Sequence, residues 1–209
     1  MAAEFSYQVQ SENCTHAFDT IAASGDDACI LHYVDNQKVL KDGDLILLDL
    51  GAQYQQYASD ITRTYPVNGK FSDRQKVFYT IVLKAQEAVI DAIQPGVSFQ
   101  FLNQIVKEYY KKACVEAKII EKEEDIDRVY YHGVSHSLGL DTHDVGTLEG
   151  TKCEEGMVIT VEPGLYSQVE GIGIRIEDDV LVTKDGAEVL SKFIEKKIED
   201  IERIMSSTQ

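Results

Sequence analysis

The sequence has no tryptophan, only three prolines, and four cysteines among 209 residues. The cysteines, Cys14, Cys29, Cys114 and Cys153, form no C-x-x-C pair and no tight framework, so we expect reduced thiols in a cytoplasmic protein. No apolar run approaches the roughly 18 residues that span a bilayer. The opening residues also lack the basic and apolar regions of a secretory signal. We therefore expect no membrane partner.

Basic residues are scarce as well. The chain has 20 Lys and Arg against 36 Asp and Glu, a formal net charge of -16. Such a field repels phosphate backbones, so nucleic acid is excluded as an expected partner. The hydrophobic fraction of 44% and the charged fraction of 27% are ordinary for a globular protein, and the length predicts a single domain over residues 1–209.

Helical periodicity is present in three segments. Ser72 and Gln75 form a capping box, and the helix that they begin is ended by "QPG" at 94–96. A second apolar face runs from Leu102 to Ala113, and a third amphipathic segment begins at Phe193. Strand-like runs precede and follow the first two helices. This order predicts an α+β fold and not a regular strand–helix alternation.

A weak internal repeat relates two parts of the chain. Residues 42–67 are echoed by residues 154–182. Each copy has an acid–Gly start, an apolar strand with one acid, a glycine-containing turn and a second strand with another acid. The repeat predicts a pseudo-symmetric domain with a site where the two halves meet.

Asp49 lies within "LILLDL", a run that otherwise predicts a buried strand. If residues 45–62 form a hairpin that turns at Tyr54–Gln55, Asp49 is directly opposite Asp60. Opposed like charges on a sheet are destabilising, and a buried carboxylate is costly unless it is paired or binds a metal.

The second half of the repeat offers the same pattern. Glu162 lies in the apolar run "MVITVEPGLY" and can pair with Glu177 around a turn near Val169–Glu170. A single acid in a strand usually faces solvent, but two opposed pairs in both halves of a repeat are hard to explain in that way. The pattern therefore predicts that a cation lies between the carboxylates.

Histidines supply a further cluster, because His132, His136 and His143 all lie within residues 130–146. Four carboxylates with one imidazole would suit two divalent ions such as manganese, cobalt or zinc. Two ions roughly 3.5–4 Å apart can hold a bridging water as hydroxide at neutral pH and polarise a carbonyl. The spacing does not decide which histidine is the ligand.

Four stretches resemble the dinuclear metallopeptidases of pita-bread fold, and most closely the aminopeptidase P family. They are "LLDLGAQYQQYASDITRTYPVNGKFS", "HGVSHSLGLDTHDVG", "VITVEPGLY" and "GIGIRIEDDVLV". The resemblance runs from about residues 20–33 almost to the C-terminus. It implies two pseudo-symmetric halves whose curved antiparallel sheet is covered by helices.

The resemblance also implies a ligand set. By motif position, the metal ligands would be Asp49, Asp60, His136, Glu162 and Glu177. They would bind two divalent metal ions, with Mn²⁺ expected and Co²⁺ or Zn²⁺ as alternatives. Glu162 would in addition be catalytic, carrying a proton from water to the leaving nitrogen.

The remaining implied roles concern the substrate. His132 and His143 would be catalytic residues beside the scissile bond, and His32 would contact the peptide. Tyr166 and Arg175 would help to form the pocket that accepts proline. For each there is a simpler alternative: Tyr166 could be packing in a wall, and Arg175 could pair with a ligand carboxylate.

The activity implied by the resemblance is hydrolysis of the bond between an N-terminal residue and a following proline, by a metal-bridging hydroxide. Prolidase, which cleaves Xaa-Pro dipeptides, is the close alternative. A non-catalytic relative that binds proteins is another, although such relatives lose ligands that this chain keeps. Methionine aminopeptidase and creatinase-like chemistry fit the motifs less well.

The family also carries an N-terminal domain, and its catalytic domain begins with helices ahead of the matching segment. We therefore interpret residues 1–209 as a catalytic domain truncated at its N-terminus. A homo-oligomer is expected when the N-terminal domain is present.

Overall fold

The computed structural model describes residues 1–145 and 150–207. Gly146, which ends the histidine-containing motif, lies outside the described residues. The elements are α1 (Ala2–Ser11), β1 (Thr15–His16), β2 (Ile21–Ser24), a 3-10 helix (Gly25–Cys29), β3 (Leu45–Leu50), β4 (Ala52–Tyr54), β5 (Tyr57–Ala58), β6 (Ile61–Pro66), α2 (Asp73–Ala92), α3 (Phe99–Glu116), a second 3-10 helix (Glu123–Arg128), β7 (Val158–Val161), β8 (Gly164–Ser167), β9 (Ile172–Arg175), β10 (Asp178–Thr183), β11 (Gly186–Val189) and α4 (Ile198–Ser207).

The strands fall into two groups, each built around one copy of the repeat. In the first, β3 lies between β2 and β6, and a small sheet has the order β1-β4-β5. In the second, β10 lies between β7 and β11, and β8 pairs with β9. Every pair of these strands is antiparallel. The predicted α+β class is confirmed.

Helices α2 and α3 pack against each other, and α2 also covers β9, β7 and β8. The predicted capping box is present: the Ser72 side chain accepts from the Gln75 backbone N–H, and the Gln75 side chain accepts from that of Ser72. Phe78 and Val82 of α2, with Leu102 and Val106 of α3, are fully buried in the main core. Local capping and apolar periodicity therefore suffice to predict this layer.

The closing helix begins later than the sequence predicts. Phe193 is 78% exposed, and α4 starts only at Ile198. The backbone before it is held by side chains of other elements, because Arg63 donates to the carbonyl of Ile194 and Tyr79 donates to that of Lys196. These long-range bonds replace the helical ones. Within the described residues, no helix combines the length and apolarity needed to cross a bilayer.

Gly173 of β9 allows the first 3-10 helix to pack tightly, and that helix leads into the His32 segment. A Cβ at Gly173 would lie 2.4 Å from the carbonyl oxygen of Ala28. We expect Gly173→Ala to lower the free energy of unfolding by roughly 1–3 kcal/mol, because backbone must move to relieve the overlap. Thermal melting should detect the loss.

Gly133→Ala provides the control for that variant, because the nearest atom to its added Cβ is 3.9 Å away. Equal melting temperatures for Gly173→Ala and Gly133→Ala would contradict the explanation from close packing.

Candidate metal centre

Asp49 and Asp60 share a face of the first sheet, but they are not directly opposite each other as predicted. Gln55 and Gln56 both have positive φ, 48° and 73°, and form the two-residue turn between β4 and β5. The turn is consequently displaced by one residue and the pairing by two, so Asp49 pairs with Thr62. Asp60 lies two residues before Thr62 on the same face, where it still meets Asp49 diagonally.

Glu162 and Glu177 follow the predicted register. Strands β8 and β9 pair Gly164 with Arg175, and β7 and β10 pair Val161 with Asp178. Both pairings extrapolate to Glu162 opposite Glu177, in the gap between the two ladders. The turn lies in residues 168–171, as expected from the sequence.

His136 is the histidine that lies among these acids. Its Nε2 is 3.4 Å from Asp60 Oδ2 and 3.7 Å from Glu162 Oε1. Its Nδ1 is 3.1 Å from the carbonyl oxygen of Ser137, which can only accept, so Nδ1 carries the proton and Nε2 is directed at the acids. Ligand atoms of Asp60, His136 and Glu177 all lie within 4.8 Å of one another. These three side chains could therefore hold a metal ion together.

Carboxylate oxygens without hydrogen-bond partners are a second indication that the donor set fits divalent ions. Asp49 Oδ1, Asp60 Oδ1 and Glu177 Oε1 are buried and have no hydrogen-bond partner among the described residues. Buried polar atoms without partners are costly, and hard oxygen donors with one imidazole are ligands for manganese or zinc-like ions. These three carboxylate oxygens therefore have no partner, and a bound cation would be one.

Crowding and burial of these acids also shift their pKa values. Burial and the charge of Asp49 raise the pKa of Asp60 to about 6, although hydrogen bonding to His136 opposes the shift. Burial raises the pKa of Glu162 to about 7 and that of Glu177 well above its ordinary value. In the absence of metal, the acids of the cluster therefore bind protons more readily than exposed carboxylates do.

Two threonines and an aspartate hold the ligands in place. Thr62 donates to Glu177 Oε2 at 2.6 Å, and Thr160 Oγ1 accepts from the His136 backbone N–H at 3.1 Å. The Asp179 carboxylate accepts from the Asp60 backbone N–H. Both threonines are thus hydrogen-bonded to groups of the candidate metal centre, as residues that orient metal ligands commonly are.

Arg175 pairs with a ligand, which was one of the two alternatives for it. Its guanidinium donates to Asp49 Oδ2, to the Tyr166 hydroxyl at 3.0 Å and to Thr62 Oγ1 at 3.1 Å. The Tyr166 hydroxyl in turn lies 2.9 Å from His132 Nε2. Since His132 Nδ1 must donate to the carbonyl of Gly133, Nε2 accepts from Tyr166. Burial and the Arg175 charge lower the pKa of His132 to about 4, so it is neutral.

A cavity of about 510 Å³ opens above the centre. It is lined by Leu31, His32, Asp49, Asp60, His132, Gly133, Ser135, His136, Ser137, His143, Asp144, Glu162, Arg175 and Glu177. The rings of His136 and His143 are 4.4 Å apart at their centroids, in an edge-to-face arrangement. Tyr166 is buried behind His132 and is not among the residues that line this cavity.

Arg63, Asp178 and Asp179 are site residues that the sequence interpretation missed. All three are buried, and Asp178 is completely inaccessible. The signal was present in "IEDD", where three consecutive acids interrupt an apolar strand. Because successive strand residues face opposite sides, Asp178 lies on the face away from Glu177, where it is buried and pairs with Arg63.

The sequence model of metallopeptidase family M24 matches residues 1–184. The chain belongs to this family. The matched range contains the five predicted ligand positions, Asp49, Asp60, His136, Glu162 and Glu177.

Two curated relatives of this chain are named Xaa-Pro aminopeptidase. The chain is 41% identical to the Xaa-Pro aminopeptidase of Haemophilus influenzae, with 97% of this chain and 53% of that protein aligned. It is 42% identical to the Xaa-Pro aminopeptidase of Escherichia coli, over 90% of this chain and 47% of that protein. The chain thus spans about half the length of the curated relatives that it matches.

Solved structures establish the pita-bread fold. A candidate aminopeptidase P from Bacillus anthracis is 52% identical and superposes with a TM-score of 0.95, over 98% of this chain and 49% of that one. Zinc-substituted Escherichia coli aminopeptidase P in complex with product is 38% identical, with a TM-score of 0.93 over 99% of this chain and 51% of that one.

Proposed function

We propose that this chain is the catalytic domain of a dinuclear aminopeptidase that removes an N-terminal residue preceding proline. The observation that carries the proposal is the cluster of Asp49, Asp60, His136, Glu162 and Glu177, with unpartnered carboxylate oxygens, at the floor of a histidine-lined cavity. The relatives named Xaa-Pro aminopeptidase support the same activity. An Escherichia coli aminopeptidase P structure with the inhibitor Pro-Leu supports a peptide as the ligand.

The five ligands would hold two divalent ions, with Mn²⁺ proposed and Co²⁺ or Zn²⁺ as alternatives. Bound ions would supply a nucleophile from water at neutral pH and would polarise the scissile carbonyl. The chain's own residues provide the rest. A single domain over residues 1–209 would contain the complete ligand set.

Glu162 is proposed to move the proton. Its carboxylate lines the cavity above the centre, beside the position that a metal-bound water and a peptide would occupy. Its Oε2 lies 4.0 Å from His132 Nδ1, beside the cavity. Glu162 would accept a proton from the attacking water and deliver it to the leaving nitrogen.

Proline at the second position makes the scissile bond a tertiary amide without an N–H. The pocket must therefore select the ring by shape. His32 and His143 line the cavity and are proposed to contact the ring and the bond. Burial lowers the pKa of His143, so its imidazole is neutral and presents both a donor and an acceptor. Tyr166 would act indirectly, through its hydrogen bonds to His132 and Arg175.

The cytoplasm is the proposed location, supported by four cysteines that are all unpaired. A homo-oligomer is proposed where the N-terminal domain of the family accompanies such a catalytic domain.

The test is to saturate the protein with Mn²⁺ and compare an Xaa-Pro-Xaa tripeptide, its Xaa-Ala-Xaa analogue, an Xaa-Pro dipeptide and a Met-Ala peptide. We expect the tripeptide with proline to have the highest kcat/KM. Preference for the dipeptide would favour prolidase, and cleavage of none by a metal-loaded protein would favour a binding role.

His143→Ala and His136→Ala should differ in their effects. His143→Ala should keep both ions but lose at least tenfold in kcat, because it removes a group that contacts substrate. His136→Ala should lose an ion, because it removes a ligand. Elemental analysis with kinetics distinguishes the two. Metal loss in His143→Ala with retention in His136→Ala would reverse the assignment.

A further inference from the structure

A buried network of charged and polar groups lies directly behind the metal centre and is not explained by metal binding or substrate contact. Arg63 of β6 is 3% exposed, and Asp178 of β10 is 0% exposed. They form an ion pair, with Arg63 NH2 2.6 Å from Asp178 Oδ1. Asp178 follows the ligand Glu177 and faces the opposite side of the strand.

The same guanidinium also holds the main chain of the site. Arg63 NH1 donates to the carbonyl of Glu177 at 2.5 Å and to that of Thr62 at 3.0 Å. The Thr62 carbonyl accepts a further bond from the Glu177 backbone N–H at 3.0 Å. Arg63 therefore bridges the point where β6, from the first half of the repeat, meets Glu177, from the second.

This junction sets the separation between ligands of the two halves. Asp60 lies just before β6, and Glu177 lies just before β10. A metal shared by Asp60, His136 and Glu177 needs their ligand atoms within a few tenths of an ångström of fixed positions. A planar fork that binds two carbonyls and a carboxylate at once can hold that geometry, whereas a point charge cannot.

The C-terminal segment completes the network. Asp178 also accepts from Ser191 Oγ at 2.6 Å and from Lys196 Nζ at 2.6 Å. Arg63 NH2 donates to the Ile194 carbonyl at 2.9 Å. The segment before α4 thus closes over the ion pair and excludes water from it, which strengthens its charge-assisted bonds.

We propose that Arg63 and Asp178 are a positioning pair that fixes Glu177 relative to Asp60 for metal binding, with the Ser191–Lys196 segment as its outer support. The pair touches neither substrate nor metal and acts through the main chain of Glu177. The inference rests on the proposed metal site and adds to it residues that determine the affinity of one ion.

The experiment is calorimetric titration of Mn²⁺ into the metal-free protein, with Co²⁺ absorption as a second readout. Arg63→Met should weaken one of the two ions by roughly 10–100-fold, the range typical of residues that orient metal ligands. Arg63→Lys should restore part of the affinity, because lysine can reach Asp178 but cannot hold both carbonyls. Asp178→Asn should weaken the same ion.

Arg74→Met is the matched control. It removes a guanidinium that likewise binds a carboxylate, that of Glu170, and two main-chain carbonyls, those of Ala117 and Lys118. None of these residues lines the cavity above the metal centre. Its metal affinity should equal that of the wild type even if its melting temperature falls. A role in stability alone would make the two variants alike in metal binding.

A folded Arg63→Met protein that binds both ions within twofold of the wild type overturns the proposal. If Arg63→Met does not fold, Arg63→Lys and Ser191→Ala provide the test. Weaker binding of one Mn²⁺ ion by these variants supports the positioning pair. Mn²⁺ affinity equal to that of the wild type in both variants overturns it. A wild-type chain that binds no Mn²⁺ overturns the metal site and the pair with it. Normal wild-type binding with unaffected variants overturns only the pair.

Discussion

Removal of divalent metal should lower the melting temperature of this protein, and the drop should be larger at pH 8 than at pH 5.5. A ligand present at about 100 times its Kd stabilises the folded state by about 2.7 kcal/mol. For a chain of this length that corresponds to roughly 5–10 °C. Thermal melts with saturating Mn²⁺ and with EDTA, at both pH values, measure the effect.

The pH dependence follows from the acids of the metal centre. In the metal-free folded state the pKa of Asp60 is raised from 3.8 to about 6, and that of Glu162 from 4.5 to about 7. Protons thus bind more tightly to the folded state than to the unfolded one. The stability that they contribute is complete below about pH 4 and is lost as the pH rises through 6 to 7. Metal ions replace these protons, so the loaded protein should not show that loss.

Asp60→Asn is the variant that isolates this cause. It removes one buried charge from the cluster and one ligand from the metal. At pH 8 the metal-free variant should melt at a higher temperature than the metal-free wild type, because Asp49 then has no charged neighbour at that position. Added Mn²⁺ should stabilise it much less. A chelator effect that is equal at both pH values, or a metal-free variant that melts lower, would contradict the account.

Arg175→Met should be among the most destabilising single substitutions in the chain. Arg175 is 4% exposed and is bonded to Asp49, Tyr166 and Thr62. Its loss leaves the Asp49 carboxylate buried without a cation, and removal of one partner of a buried ion pair costs about 3–5 kcal/mol. In the metal-free protein the melting temperature should therefore fall by roughly 10 °C. Mn²⁺ should recover part of this loss, since it supplies positive charge at the same carboxylate.

The matched control is Arg203→Met, the same substitution at a solvent-exposed ion pair with Asp200 in α4. That pair is screened by water, so its loss should leave the melting temperature unchanged. If Arg175→Met melts like Arg203→Met, Arg175 is not required to balance the carboxylates.

Much of the site could be predicted from the sequence because its chemistry is unusual for the surrounding pattern. Three of the acids lie in or beside apolar strands: Asp49, Glu162 and Glu177. A carboxylate that is buried with such a strand needs a cation or another partner, whatever the arrangement of the strands. The Glu162–Glu177 register was also predictable, since that hairpin has a regular turn. Capping and periodicity predicted α2 and α3, because both signals are local.

Only the tertiary structure decided the features that depend on distant groups. The turn of the first hairpin is displaced by one residue, and its pairing by two, because Gln55 and Gln56 adopt positive φ, a conformation that glutamine does not indicate. His136 is distinguished from His132 and His143 by the short distances from its Nε2 to Asp60 and Glu162, two acids from other parts of the chain.

The late start of α4 and the network behind Glu177 are decided in the same way. Arg63 and Asp178 are separated by more than a hundred residues in the chain, and neither has a local partner that predicts the other. The residue types along the chain determined that metal would be needed. The fold determined which atoms face it, because register, ring orientation and buried pairing are set by contacts between elements and not within them.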